Sequence, residues 1–340
     1  MTRVLAVRLD SDGDVLLTGP AIRALAHTSD AVDVLVSPAG RSAAELLPCV
    51  DDVLVFDAPW SGYLAAGVDQ RAIRTLVRRL RRAAYSRAVI FTSFHQSPLP
   101  MALLARMARI PYVAATSVDY PGSLLDVRHQ RPDGHEVRAA LDLAQAAGGR
   151  LPAGDDGLLR LEQPLPRHNP VSIKPYVVVH PGASVPSRAL TADHAARLVG
   201  ALSRAGWPVV VTGGPGEREL AARAAGVSAI NLAGRTDLPG LARVLADAAC
   251  VVVGNTGPAH LAAAVGTPVV SLFSPVVPAE RWAPYGVPTV LLGDQQAGCR
   301  DSRARGCPLP GHPCLSEVSG DDVVAAVERL TAPAVAGVIG

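Results

Sequence analysis

The sequence predicts an α/β protein built from two doubly wound parallel-sheet halves in tandem. Three observations carry that expectation. Short runs of Val, Leu, Ile and Ala recur as nearly continuous apolar segments, the pattern of strands covered on both faces. Helical patterns alternate with them along the whole chain. At 340 residues, 49% hydrophobic but only 4% aromatic, the chain is long enough for two domains, and small aliphatic side chains must fill their cores.

In the first half, strands are expected at 4–9, 32–36, 53–56, 88–91 and 112–115. Helices are expected between them at 14–27, 41–47, 70–84 and 98–108, and a helix at 135–147 closes the half. From 148 to 175 the composition turns polar and proline-rich, with Pro152, Pro164, Pro166, Pro170 and Pro175. This stretch reads as a linker in which only 158–161 could form a short strand. The expected domains are therefore 1–165 and 166–340. The pattern then restarts, with strands at 176–179, 208–212, 230–232, 250–253, 269–273 and 289–292. Helices follow at 191–205, 215–225, 237–248, 258–265 and 320–330. The last begins with Asp321 and Asp322 near its positive end, as the helix dipole favours, and is a candidate to pack back on the first domain. Two Rossmann-like domains facing a central cleft constitute the GT-B architecture. In such sheets ligands sit at the carboxyl ends of strands, so the strand-to-helix turns are where chemistry is expected.

Charge excludes one class of partner. The formal net charge is +2, from 32 basic and 30 acidic residues, too balanced for a nucleic-acid-binding face. Arg71, Arg74, Arg78 and Arg82 share one face of the 70–84 helix. They read as a solvated surface, with an anionic or membrane surface as the alternative. No apolar stretch reaches the length needed to span a bilayer, and the N-terminal apolar run is too short for a signal peptide, so a cytoplasmic protein is expected. Five cysteines are too few and odd in number for a disulfide framework. Cys299, Cys307 and Cys314 with His312 make a four-ligand set for zinc, at looser spacings than a zinc ribbon; buried or free thiols are the alternative.

The turns carry the functional argument. The first runs Leu9-Asp10-Ser11-Asp12-Gly13-Asp14 and lacks the glycines of a dinucleotide fingerprint. Acids fill it instead, and Asp14 opens the helix, where the dipole favours its ionised form. An ionised carboxylate there either accepts a proton from a sugar hydroxyl or simply caps the helix. The turn His180-Pro181-Gly182-Ala183-Ser184-Val185-Pro186-Ser187-Arg188 offers small residues, the hydroxyls of Ser184 and Ser187, and an Arg188 able to bridge two phosphate oxygens. The next, Thr212-Gly213-Gly214-Pro215-Gly216-Glu217, lets a ligand approach the backbone closely. Its Glu217 either accepts from ribose hydroxyls or caps the helix. Finally, Asn255-Thr256-Gly257-Pro258-Ala259-His260 joins strand to helix and aims unpaired N–H groups at whatever lies beyond, which suits a diphosphate. Taken alone, that stretch is equally an ordinary βαβ connection. After the strand at 88–91, the loop with His95 points polar groups outward, as an acceptor contact or a structural histidine.

These residues resemble glycosyltransferase family 9, the heptosyltransferases, over most of the chain. The resemblance rests on Arg8-Leu9-Asp10 through Gly13-Asp14-Val15-Leu16-Leu17-Thr18-Gly19-Pro20-Ala21, on His180-Pro181-Gly182-Ala183-Ser184 and on Gly213-Gly214-Pro215. Above all it rests on Thr256-Gly257-Pro258-Ala259-His260-Leu261 with Gly266-Thr267-Pro268. It implies an inverting, metal-independent enzyme that moves a sugar, expected to be a heptose, from a nucleotide-diphosphate donor to a hydroxyl acceptor. ADP-heptose is the expected donor and no cofactor is needed. Asp14 falls on the family's catalytic base. Ser184, Arg188, Thr212, Gly213, Gly214 and Glu217 fall in its donor-binding turns, as do Thr236, Leu238, Asn255, Thr256, Gly257 and His260. The loop 234–238 would hold the base edge. Asp12, Gly13 and His95 are the expected acceptor contacts. The expected partners are a glycan, glycolipid or small-molecule acceptor and a transient inner-membrane surface.

The chain departs from the family pattern twice. Arg188 replaces the usual lysine of the phosphate loop, keeping charge and gaining bidentate reach. Asn255 replaces the usual aspartate before Thr-Gly, removing a charge that would repel a diphosphate. Two other functions fit the same architecture, a nucleotide-sugar epimerase or hydrolase and a non-catalytic nucleotide-sugar-binding protein. Only a transferase needs an acceptor to consume donor, and an idle binding protein has no need of Asp14.

Overall fold

The computed structural model describes residues 2–61, 67–93 and 95–332. The chain divides into two compact units, Met1–Gln163 and Pro164–Gly340. In the first, a parallel sheet is formed by β1 (Arg3–Arg8), β2 (Ala31–Val36), β3 (Asp52–Val55), β4 (Arg87–Phe91), β5 (Tyr112–Thr116) and β6 (Val127–His129), in the order β3-β2-β1-β4-β5-β6. Its helices are α1 (Asp12–Ala26), α2 (Arg41–Ala44), α3 (Gln70–Ala83), α4 (Leu99–Met107) and α5 (Glu136–Ala146). α1 and α5 pack together, as do α3 and α4. β1 lies between β2 and β4, and Val4 to Val7 are almost wholly inaccessible. That double covering is what its unbroken apolar run anticipates.

The second unit repeats the plan. Its strands are β7 (Val177–His180), β8 (Val209–Val211), β9 (Ile230–Asn231), β10 (Cys250–Gly254), β11 (Val269–Leu272) and β12 (Thr289–Leu292), in the order β12-β11-β10-β7-β8-β9. Read from β9, this is the first unit's order again, and it is the Rossmann order. The helices are α6 (Ala192–Arg204), α7 (Arg218–Ala225), α8 (Leu238–Ala246), α9 (Gly257–Ala264), the short α10 (Ala279–Trp282) and α11 (Pro313–Ser316), and α12 (Gly320–Thr331). Alternate residues of β7, β8 and β10 meet α6, α7 and α12 in one aliphatic core that includes Val177, Leu198, Val211 and Val252. The capping box Ser319–Asp322 starts α12, which buries Val323, Ala326 and Val327 in that same core. The last helix thus packs by its apolar face on its own unit.

Two expectations are corrected. The stretch after α5 is not a free linker along its first half. Arg150 N–H bonds the carbonyl of Ala24, and Glu162 N–H bonds that of Leu46. Arg23 of α1 grips Asp155 with two hydrogen bonds of 2.8 Å and also reaches the Leu158 carbonyl. The segment is therefore a strap on the first unit, and Leu159 and Leu161 are buried beneath it. Residues 158–161 form no strand, because their hydrogen bonds go to side chains and helix ends rather than to a neighbouring strand. β6, conversely, was not anticipated: three residues with two polar side chains carry too little apolar signal. No helix among the described residues is long and apolar enough to cross a membrane.

Candidate active site

A sheet of this order leaves a crevice at the carboxyl ends of its first and fourth strands, where successive connections leave toward opposite faces. That point lies between β1 and β4 in the first unit, and between β7 and β10 in the second.

In the first unit, β1 ends at Arg8 and α1 begins at Asp12, two residues earlier than expected. Asp14 therefore sits within the first turn, still under the positive end of the helix. Its side chain is 22% exposed. Oδ1 accepts from an Arg8 guanidinium nitrogen at 2.9 Å, and Oδ2 from Ser11 Oγ at 3.1 Å. Arg8 is buried and also forms an ion pair with Asp10 at 2.8 Å and donates to Ser93 Oγ at 3.0 Å. Asp10 accepts from Gln96 Nε2 at 2.6 Å. One guanidinium thus ties the turn after β1 to the loop after β4. Burial pushes the Asp10 carboxyl up to about 6, against the pull of Arg8 and with the help of the Asp14 charge.

The expected acceptor contacts go different ways. Asp12 Oδ1 accepts the N–H of Ala43 in α2 at 3.0 Å, and burial raises its pKa despite that bond. Gly13 is buried in the first turn, while His95 is exposed on the loop that carries Ser93 and Gln96. Beside Arg8 a small open depression is lined by Thr92, Thr116, Arg131 and Glu136 among others. Arg131 donates to Glu136 at 2.6 Å and to the Thr92 carbonyl at 2.7 Å. Arg131 and Glu136 were missed in the sequence, since only the sheet sets β6 beside β5 and lets Arg131 reach the Thr92 carbonyl after β4.

In the second unit, the loops after β7 and β10 touch. A Cβ on Gly254 would stand 2.6 Å from the carbonyl oxygen of Arg188, so only glycine lets the two turns meet. Ser184 is exposed and Arg188 half-buried on the first of these loops, and Thr256 and Gly257 open α9 on the second. His260, one turn in, is buried. Ser187, by contrast, is fully buried and faces inward. Its hydroxyl donates to the Ala304 carbonyl at 2.5 Å, its N–H to that of Arg305 at 2.8 Å, and its own carbonyl meets His312 Nε2 at 3.0 Å. The proline- and glycine-rich segment around residues 304–312 therefore holds the Arg188 loop in place.

Glu217 lies over the Gly182 and Gly213 backbone, where a Cβ on Gly182 would collide with its carboxylate. Its Oε2 accepts the Gly214 N–H at 2.6 Å, which is the capping arrangement. Behind it His180, missed as a site residue, contacts Thr212 Oγ1 at 3.0 Å and stands 3.6 Å from Glu217 Oε2. Burial lowers the His180 pKa, against the attraction of Glu217, so the imidazole is neutral at pH 7. Thr212 is fully buried and supports His180 instead of reaching the loop surface. Thr236 is half-buried, and Leu238 opens α8 behind Asp237, which caps Gly240 N–H at 2.8 Å. Arg218, also missed, lies against Gly234 in the same loop and donates to its carbonyl at 3.2 Å.

Asn255 is not presented to a ligand. It is 4% exposed, donates to the Ser274 carbonyl at 3.1 Å and accepts the Ser274 N–H at 3.2 Å. The amide satisfies both groups, whereas an aspartate would set a carboxylate against that carbonyl. Bonding to the Ser274 backbone, just past the end of β11, gives asparagine a structural role here. Of the candidate zinc set, Cys314 lies beside Cys299 and within electrostatic reach of Cys307, while the His312 ring turns to a backbone carbonyl. Cys299 and Cys314 are buried in the apolar core, burial pushes the Cys314 thiol up to about 11, and His312 faces Ser187. Among the described residues no three His, Cys, Asp or Glu side chains are grouped to hold a metal ion.

Comparison with known proteins gives a consistent picture. The model of glycosyltransferase family 9 (heptosyltransferase) matches residues 73–312. Lipopolysaccharide heptosyltransferase 1 of Pseudomonas aeruginosa is 31% identical over 305 residues, covering 86% of this chain and 83% of that protein. Among solved structures, a family 9 glycosyl transferase from Veillonella parvula superposes with a TM-score of 0.75 at 17% identity, over 97% of each chain. The E. coli heptosyltransferase WaaC with ADP-2-deoxy-2-fluoro heptose gives 0.71 at 21% identity, over 96% of this chain and 99% of that one. At these identities the structural likeness establishes the fold alone, which is the GT-B fold.

Proposed function

The chain belongs to glycosyltransferase family 9, and from that premise we propose that this heptosyltransferase-type enzyme transfers a heptose from ADP-heptose to a hydroxyl acceptor, with inversion and without a metal. The observation that carries the reading is Asp14, held at the end of β1 by Arg8 and Ser11 with part of its carboxylate exposed. In the proposed reaction the acceptor oxygen attacks the anomeric carbon from the face opposite the diphosphate. The bond from that carbon to the β-phosphate oxygen breaks, ADP departs, and Asp14 takes the hydroxyl proton.

In the second unit, Ser184, Arg188, Thr256, Gly257 and the first turn of α9 are the proposed diphosphate contacts. A guanidinium and helix N–H groups supply the positive charge that stabilises a departing anion. Gly213, Gly214 and the remaining lone pairs of Glu217 would meet the ribose, and Thr236 and Leu238 the base. His260 would back the diphosphate turn. Thr212 and Asn255 support these loops from below. The acceptor is a glycan, glycolipid or small molecule received by the turn after β1 and the loop with His95. For a lipid-linked acceptor in the cytoplasmic leaflet, the exposed arginines of α3 offer a transient contact with an anionic membrane surface.

The test is product analysis with ADP-heptose in the presence and absence of candidate acceptors, with and without chelator. Acceptor-dependent release of ADP, an inverted glycosidic linkage and indifference to EDTA are expected. Donor consumption without acceptor would mark a hydrolase or epimerase instead. No stabilisation of the protein by ADP-heptose, which should raise the melting temperature if it binds the folded form, would defeat the donor assignment.

A further inference from the structure

The network around Asp14 is short of positive charge. Among the described residues, Arg8 and Arg131 are set against Asp10, Asp14 and Glu136, two guanidiniums against three carboxylates. Arg131 is engaged by Glu136 at 2.6 Å. Arg8 alone must then serve both remaining acids, at 2.8 Å to Asp10 and 2.9 Å to Asp14. Two carboxylates that share one buried cation do not titrate independently.

We propose that Asp10 is a positioning residue for the base: by competing for Arg8, it keeps Asp14 basic enough to take the acceptor's proton. The proposal rests on Asp14 acting as base. Were Asp10 uncharged, Arg8 would stabilise the Asp14 carboxylate alone, and a carboxylate stabilised by a dedicated cation holds a proton more weakly. Ionised Asp10 withdraws part of that stabilisation and adds its own repulsion, which strengthens Asp14 as a proton acceptor.

The groups facing Asp10 support this reading from each packed element. β1 supplies Arg8 and α1 supplies Asp14, while Asp12 is directed to the Ala43 N–H of α2. The loop after β4 supplies Gln96, which donates to Asp10 Oδ1 at 2.6 Å, with exposed His95 beside it. Glu136 of α5 adds a further negative field, partnered by Arg131. The loop after β2 contributes the Ser37 hydroxyl, which donates to the Asp10 carbonyl at 2.6 Å. Among the described residues, Arg8 and Gln96 hold the Asp10 carboxylate in its charged form, and burial still raises it to about 6.

Two measurements test the proposal. The first is carboxyl ¹³C NMR titration of the full chain, as wild type, Asp10→Asn and Asp14→Asn, which needs no turnover. Asp14→Asn should lower the Asp10 midpoint by about one pH unit or more. Midpoints that stay where they were would overturn the coupling. The second is the pH profile of kcat and kcat/KM with ADP-heptose. Asn at position 10 keeps the shape and can still accept from Gln96. In that variant the acid limb should move to lower pH, kcat at the plateau should fall by about tenfold, and the donor KM should stay within about twofold. A variant of unaltered melting temperature whose acid limb does not move would show that Asp10 only supports the turn, and would overturn the proposal. If the wild type transfers nothing from ADP-heptose, the functional reading above fails, while the NMR titration still decides the coupling.

Discussion

The two units share one strand order, and their turns at the equivalent point carry opposite chemistry. In the first, the ends of β1 and β4 are joined through buried charge: Arg8 bridges Asp10 and Asp14 and reaches Ser93. In the second, the ends of β7 and β10 meet through backbone, with Gly254 against the Arg188 carbonyl and Glu217 laid over Gly182. The proposed roles, proton acceptor in the first unit and diphosphate site in the second, differ in their physical demands. A proton acceptor needs a carboxylate whose basicity is set by neighbours in a low-dielectric setting. A diphosphate needs donors that approach closely, so side chains there must be small and N–H groups outward. The same topology supports both, because a fold positions a site without dictating its chemistry.

Substitutions can separate the two roles. The largest effect is expected for Asp14→Ala, which should lower transfer by a factor on the order of 10² to 10⁴ while ADP-heptose still raises the melting temperature. Unchanged turnover would remove Asp14 from the mechanism. Next comes the strap of the first unit. Arg23→Ala leaves the buried Asp155 only the Gly157 N–H and a 3.7 Å approach of Arg160, and should cost about 3 kcal/mol in chemical denaturation, with donor stabilisation retained. The same pair sets an acid limit. The hydrogen bonds from Arg23 hold the Asp155 carboxyl down at about 2. Its contribution is therefore complete above its unfolded value, near 3.9, and is lost as pH falls through about 2. The Arg23→Ala variant should show a shallower acid slope over that window, and an identical slope would refute the linkage.

Arg188→Ala sharpens the contrast from the other side. Losing a charge-assisted contact should weaken donor binding by roughly tenfold to a hundredfold, measured by calorimetry, and Arg188→Lys should recover part of it. A variant with normal affinity and slowed turnover would blur the division of labour between the units. The smallest effect is expected for Asn255→Asp, where a carboxylate meets the Ser274 carbonyl. Stability should fall by about 1–2 kcal/mol, and the donor shift should persist at saturating ADP-heptose.

Much of this was legible beforehand for a physical reason. Strands buried on both faces must be continuously apolar, so β1, β7 and β10 announce themselves, and the turns that follow them can be located by counting. Asp14 and Arg188 could be singled out as candidates because the chemistry proposed for them is local to such a turn. Less visible were Arg131 and Glu136, which enter the Arg8 network from the β6–α5 connection, and His180, whose partners Thr212 and Glu217 lie on another strand and its loop. The partners of Asn255 and Ser187 were hidden for the same reason: their polar atoms meet Ser274, Ala304 and Arg305, distant in the chain.

Hydrophobic periodicity and turn composition, read along the chain, determine the element order, the parallel sheets and the residue types available at each crevice, while the quoted motifs carry the resemblance to the family. Which of those residues face outward, and which are spent on the backbone of another strand, is decided only when the sheet closes. A hydrogen bond or ion pair depends on distances of a few ångströms, and the one-dimensional pattern does not encode the distance between Arg8 and Asp14 relative to Asp10, or between Asn255 and Ser274.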